Sequence, residues 1–116
     1  MEKFKYNTID EAIAAIKAGQ MVLVTDDEDR ENEGDLIMAA ELCTPEAINF
    51  MAKEARGLIC MPADSEVMDK LQFGAMVTHN TDNHETAFSV SIDHVDTTTG
   101  ISAYERAYKT EDRKSV

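Results

Sequence analysis

Seven carboxylates and one arginine crowd into the segment Asp26-Asp27-Glu28-Asp29-Arg30-Glu31-Asn32-Glu33-Gly34-Asp35. It follows directly on Met21-Val22-Leu23-Val24-Thr25, a short apolar run that reads as a buried strand. In open α/β sheets, ligands bind beyond the carboxyl ends of strands. If the segment stays extended, Glu31, Glu33 and Asp35 point to one side. Three converging carboxylates repel one another unless a cation sits among them. Hard oxygen ligation suits Mg²⁺, which keeps waters and shares its coordination shell with a substrate. Arg30 would then hold a substrate oxygen or phosphate. A solvated acidic turn has the same composition, and the loop residues alone leave both readings open. A calcium-binding EF-hand is excluded: Asp29, Glu31, Glu33 and Gly34 fit its first positions, but Ala40 stands where the bidentate glutamate is needed.

Other chemistry-bearing residues are more scattered. His79 and His84 lie in a polar stretch at a spacing that does not put them on one helix face, and they read as solvent-exposed loop histidines. His94 ends an alternating run and reads as a capping or core hydrogen-bonding histidine. Cys43 and Cys60 are the only cysteines; each reads first as a small buried hydrophobe. Thr97-Thr98-Thr99-Gly100-Ile101-Ser102 brings hydroxyls and a glycine to a possible helix N-terminus, an arrangement that can bind phosphate but is weak by itself.

These groups need positioning elements. Thr8-Ile9-Asp10-Glu11 has capping-box spacing, Ile9, Ile13 and Ile16 recur on one face, and Gly19 is a helix stop. Leu36 to Ala40 reads as a second strand. Thr44-Pro45-Glu46 starts a helix with Ile48, Met51, Ala52 and Ala55 on its apolar face and Gly57 as its end. Leu58 to Met61 reads as a strand and Ser65 to Leu71 as a short helix. Phe88, Val90 and Ile92 alternate with polar residues, the pattern of a half-buried strand. Ser102 caps a last helix through Tyr104 and Arg106. Helices and strands intermix, so the class is α/β or α+β. Residues 1–108 read as one folded unit and 109–116 as a polar, disordered tail.

Bulk properties agree. The 116-residue chain is 43% hydrophobic and 29% charged, with a formal charge of −12. That charge repels nucleic acid and anionic membranes, so neither is an expected partner. No signal-peptide pattern or apolar run of about 20 residues is present. A cytoplasmic location with reduced thiols follows as an expectation.

Three segments together resemble the 3,4-dihydroxy-2-butanone 4-phosphate synthase family. They are the acidic loop 26–36, Ala55-Arg56-Gly57-Leu58-Ile59-Cys60, and Ser91-Ile92-Asp93-His94 with Thr97-Thr98-Thr99-Gly100-Ile101-Ser102-Ala103. The resemblance implies conversion of ribulose 5-phosphate to 3,4-dihydroxy-2-butanone 4-phosphate and formate in riboflavin biosynthesis, with Mg²⁺ or Mn²⁺. It implies Glu31 as a metal ligand and Arg30, Glu31 and Asp35 as sugar-phosphate contacts. Glu33, Asp35 and Cys60 would be catalytic or line the site, with Thr98 and Ser102 close to the substrate. It also implies a mixed sheet packed with helices and a homodimer. The family's later segment, with a second metal-ligating histidine and a catalytic glutamate, has no counterpart after Tyr108. The expectation is therefore a chain that is inactive alone and marginally folded. A catalytically dead remnant and a non-enzymatic acidic metal-binding module are the alternatives.

Overall fold

The computed structural model describes residues 4–81 and 86–111. Helix α1 spans Ile9–Lys17, strand β1 Val22–Thr25, strand β2 Gly34–Ile37, helix α2 Pro45–Phe50, helix α3 Ser65–Lys70 and helix α4 Ala103–Glu111. A 3₁₀ turn at Ala40–Leu42 leads into α2, and a π-helical turn at Met51–Ala55 extends it. Among the described residues no helix is long and apolar enough to cross a membrane.

Local chemistry explains the helix ends. Thr8 Oγ1 accepts from the Glu11 N–H at 3.2 Å, and the Thr8 N–H donates to Glu11 Oε2 at 2.8 Å, so two otherwise orphaned donors are satisfied. Gly19, at φ +77°, takes the left-handed position after the last turn. At α2, Thr44 Oγ1 accepts from the Ala47 N–H at 3.2 Å, and Pro45 occupies the first turn. The end of this element differs from expectation. Arg56, not Gly57, is left-handed, at φ 61°. The Arg56 N–H bonds back five residues to the Met51 carbonyl at 3.3 Å, as the wider π turn requires.

The two strands form an antiparallel hairpin with Val22 opposite Ile37, Leu23 opposite Leu36, Val24 opposite Asp35 and Thr25 opposite Gly34. With the helices this makes the expected α+β fold; among the described residues the sheet is antiparallel and two-stranded. Leu58 to Met61 runs without ladder partners, and Leu58 is 78% exposed. Phe88 to Ile92 makes a single antiparallel bridge, Ser89 to Ala75, instead of a strand. An apolar or alternating run becomes a strand only where a neighbour continues its ladder of hydrogen bonds; among the described residues Phe88 to Ile92 finds only the two bonds of one bridge, and Leu58 to Met61 finds none.

The core lies between α2 and α4. Cys43, Ile48 and Ala107 are buried, with Met38, Ala47, Met51, Ile59 and Ala103 packed around them. His94 is buried too, its ring edge-on to Tyr108 at 5.4 Å between centroids. The stripe on α1 is only partly covered: Ile9 and Ile13 are exposed and Ile16 is half-buried. β1, expected to be buried, exposes Leu23 and Val24. The accessible surface is 9844 Å², against about 6,300 Å² for a compact monomer of this mass. The hairpin and α1 thus leave Ile9, Ile13, Leu23, Val24 and Ile37 open to solvent among the described residues.

Helix α4 corrects the expected tail boundary. It continues through Lys109, Thr110 and Glu111. Thr110 Oγ1 donates to the Arg106 carbonyl at 2.8 Å, and Lys109 pairs with Asp93 across the turn. The first bond is local to the helix; the second is a tertiary anchor that composition could not reveal. The rest of the predicted tail, and His84, lie outside the described residues.

Candidate active-site loop

The acidic loop connects β1 to β2 and folds around Asp26. Asp26 Oδ1 accepts from the Glu33 N–H at 2.8 Å; Oδ2 accepts from the Glu31 N–H at 3.0 Å and from Arg30 Nη1 at 2.9 Å. The Asp26 N–H donates to the Glu33 carbonyl at 3.3 Å, and the Arg30 N–H to the Asp27 carbonyl at 3.0 Å. Asn32 turns the chain at φ 52°, a conformation asparagine tolerates better than most residues. Hydrogen bonds from Glu33, from Glu31 and from Arg30 hold the Asp26 carboxyl below its usual range, the Glu33 N–H being the largest cause.

This fold overturns the extended-loop geometry. The turn through residues 28–31 and the left-handed Asn32 break the alternation that would have aligned Glu31, Glu33 and Asp35. Among the described residues, no three His, Cys, Asp or Glu side chains are gathered to hold a metal ion. Arg30 and Glu31 are brought together instead, with Arg30 Nη2 3.4 Å from Glu31 Oε1. The Asp26 hydrogen bond, and then the Glu31 charge, raise the Arg30 pKa and keep its guanidinium cationic. The Arg30 side chain is 61% exposed, so it remains open to solvent and to ligands. Asp35 is exposed on β2 opposite Val24, where the ladder fixes its backbone.

The second group lies on the turn before α4. The Thr98 N–H and Thr98 Oγ1 both donate to Glu105 Oε1, at 2.6 and 2.8 Å. Ser102 Oγ accepts from the Glu105 N–H at 3.1 Å and lies 3.4 Å from Glu105 Oε2. The Thr98 amide, then its hydroxyl, lower the Glu105 pKa. The donors expected to face an anionic ligand thus already face an internal carboxylate. Gly100, at φ +67°, makes the turn possible. Cys60 is exposed on the extended segment beyond the π turn. Among the described residues no hydrogen bond joins Cys60 to the acidic loop or to the Thr98 turn. Cys43 is buried, as expected of a small hydrophobe. His94 Nδ1 accepts from the Asp96 N–H at 3.1 Å, in keeping with its structural reading.

Two residues in these groups escaped the sequence reading. Glu105 stands three residues after the cap Ser102, the spacing of a capping box, which is a usable signal. Asp26 was hidden among identical neighbours. Only its place at the strand end, where the returning backbone presents N–H groups, distinguishes it.

The family model for 3,4-dihydroxy-2-butanone 4-phosphate synthase matches residues 10–113. The chain belongs to this family. The match includes the acidic loop, Cys60, the Thr98 turn and α4, and extends past the boundary expected at residue 108. Riboflavin biosynthesis protein RibBA of Bacillus subtilis is 55% identical over 114 residues, which is 96% of this chain and 29% of that protein. The RibBA of Bacillus mycoides is 59% identical over 102 residues, 88% of this chain and 26% of that protein. A solved 3,4-dihydroxy-2-butanone 4-phosphate synthase in complex with two magnesium ions superposes with a TM-score of 0.86 at 47% identity. It covers 91% of this chain, which spans 50% of that one. The two-domain synthase RibBX from A. baumannii gives a TM-score of 0.82 at 45% identity, over 92% of this chain and 32% of its own. The chain thus spans less than a third of these curated relatives and half of the magnesium-bound synthase.

Proposed function

We propose that this chain supplies the acidic-loop portion of a synthase site that converts ribulose 5-phosphate to 3,4-dihydroxy-2-butanone 4-phosphate and formate in riboflavin biosynthesis. The observation that carries the reading is the Asp26-centred loop, which sets Arg30 and Glu31 side by side within a segment matched to the family. The magnesium-bound structural relative supports a divalent ion.

Glu31 would be a ligand to Mg²⁺ or Mn²⁺, and its carboxylate oxygens have the hard character such ions select. When bound, the ion lowers the cost of negative charge on substrate carbonyl and hydroxyl oxygens. The remaining work falls to side chains. Arg30 and Asp35 orient the sugar phosphate, Arg30 also offsetting the repulsion between an anionic substrate and a chain of charge −12. Glu33 and Asp35 carry protons to and from the sugar carbons and hydroxyls. Cys60, Thr98 and Ser102 line the site. The loop alone provides Glu31 as one ligand. Further ligands come from residues beyond those gathered here, and the active unit is a cytoplasmic homodimer that covers the exposed hairpin and α1.

The test is calorimetric titration of Mn²⁺ and Mg²⁺ into the wild-type chain and Glu31→Gln. Loss of a charged ligand is expected to weaken binding; unchanged affinity would remove Glu31 from the metal site. Ribulose 5-phosphate added to the chain alone is expected to release no formate, because groups that act as a unit fail together. Turnover at enzymatic rates would show that these residues suffice.

A further inference from the structure

A bound ion and a sugar phosphate require Arg30 and Glu31 to be held in fixed relation, yet both sit on an exposed hairpin loop. The residue that fixes them is Asp26. Its two carboxylate oxygens receive the Glu31 N–H at 3.0 Å, the Glu33 N–H at 2.8 Å and Arg30 Nη1 at 2.9 Å. The Asp26 side chain is only 22% exposed, less than either partner of the Arg30–Glu31 pair. It is also the first residue after β1, so its backbone is set by the Thr25–Gly34 end of the ladder.

We propose that Asp26 is a positioning residue for the reaction: it transmits the rigidity of the hairpin to Glu31 and Arg30, fixing the metal-ligating carboxylate and the substrate-binding guanidinium in one arrangement. The inference rests on the proposed metal role of Glu31. Two backbone N–H groups, two residues apart, converge on one carboxylate. That holds the Glu31 backbone against rotation and forces the Asn32 turn between them. The bond to Arg30 limits how far the guanidinium can close over Glu31. Without Asp26, Arg30 would be free to pair fully with Glu31 and mask the ligand oxygens. Outer partners that orient a ligand commonly matter to metal affinity nearly as much as ligands do.

A charge-matched comparison separates this role from simple electrostatics. Asp26→Asn and Asp27→Asn remove the same charge from adjacent positions, but only the first loses the carboxylate that receives three donors. Mn²⁺ affinity would be measured by electron paramagnetic resonance on the whole chain for wild type, each variant, Glu31→Gln, and Asp26→Asn combined with Glu31→Gln. Far-UV circular dichroism would verify that each variant retains its helices. Asp26→Asn is expected to weaken binding roughly tenfold, the usual scale for losing an outer partner. Asp27→Asn should change it much less, and the Asp26 effect should vanish in the Glu31→Gln background. Equal effects at Asp26 and Asp27, or an Asp26 effect that persists without Glu31, would overturn the proposal. An unchanged affinity in Glu31→Gln alone, or no measurable Mn²⁺ binding by the wild-type chain, would overturn the metal reading, and this inference with it.

Discussion

Replacing Gly100 by alanine adds one methyl group at the turn that carries Thr98 and Ser102. Two costs arise. The backbone there has φ +67°, and an L-residue in that region costs about 1–2 kcal/mol. The new Cβ would also run into Asp93 Oδ1 and lie 3.1 Å from Lys109 Nζ. Asp93 is 55% exposed on its side chain, so it can swing outward rather than force the turn open. Its bond to Lys109 is then lost, at a cost of about 1 kcal/mol for a pair whose carboxylate is half exposed. The sum is near 2 kcal/mol, dominated by the backbone. Urea unfolding followed by far-UV circular dichroism should show the midpoint falling by roughly 1 M for a chain of this size. Protein concentration must be held constant, since self-association would contribute to the apparent stability. Gly57→Ala is the internal control. Nothing lies within 4 Å of a Cβ there, and the φ is not left-handed, so that variant should match or exceed the wild type. A Gly100→Ala midpoint equal to wild type, or a Gly57→Ala loss as large, would refute the reasoning.

Three further outcomes are expected. Ile48→Ala should cost about 2–3 kcal/mol, at the lower end for a buried isoleucine because half-buried neighbours such as Ala47 and Met51 can relax into the space; the same urea titration checks it. Glu105 has its pKa lowered from 4.5 by the Thr98 donors. Its stabilising effect is therefore full above that value and disappears as pH falls through the lower folded value; Glu105→Gln should flatten the acid limb of stability against pH, and an unchanged limb would contradict the role given to this carboxylate. Sedimentation of the isolated chain should reveal association through the exposed hairpin and α1, and a clean monomer with a sharp thermal transition would show that this apolar surface needs no cover.

Which features were legible depended on how local their causes were. The α1 capping box, the Thr44-Pro45 start, the Ser102 cap and the Gly19 stop are each made by residues within a few positions of one another, so the sequence predicts them. The family segments were legible for a related reason: each is a contiguous run of residues that can be matched without knowing the fold. Tertiary structure decided the rest. Leu58 to Met61 and Phe88 to Ile92 have strand patterns, but a strand requires a partner that no local pattern supplies. The burial of β1 failed for the same reason, since an apolar run says what a segment would bury and not what covers it. Lys109 reads as tail by composition, and only its pairing with Asp93, sixteen residues away, ties it to the fold. The acidic loop contains seven carboxylates, and nothing in their order distinguishes the one that organises the others. Asp26 takes that role because the hairpin returns the Glu31 and Glu33 amides to the end of β1, a meeting that exists only once the chain has folded.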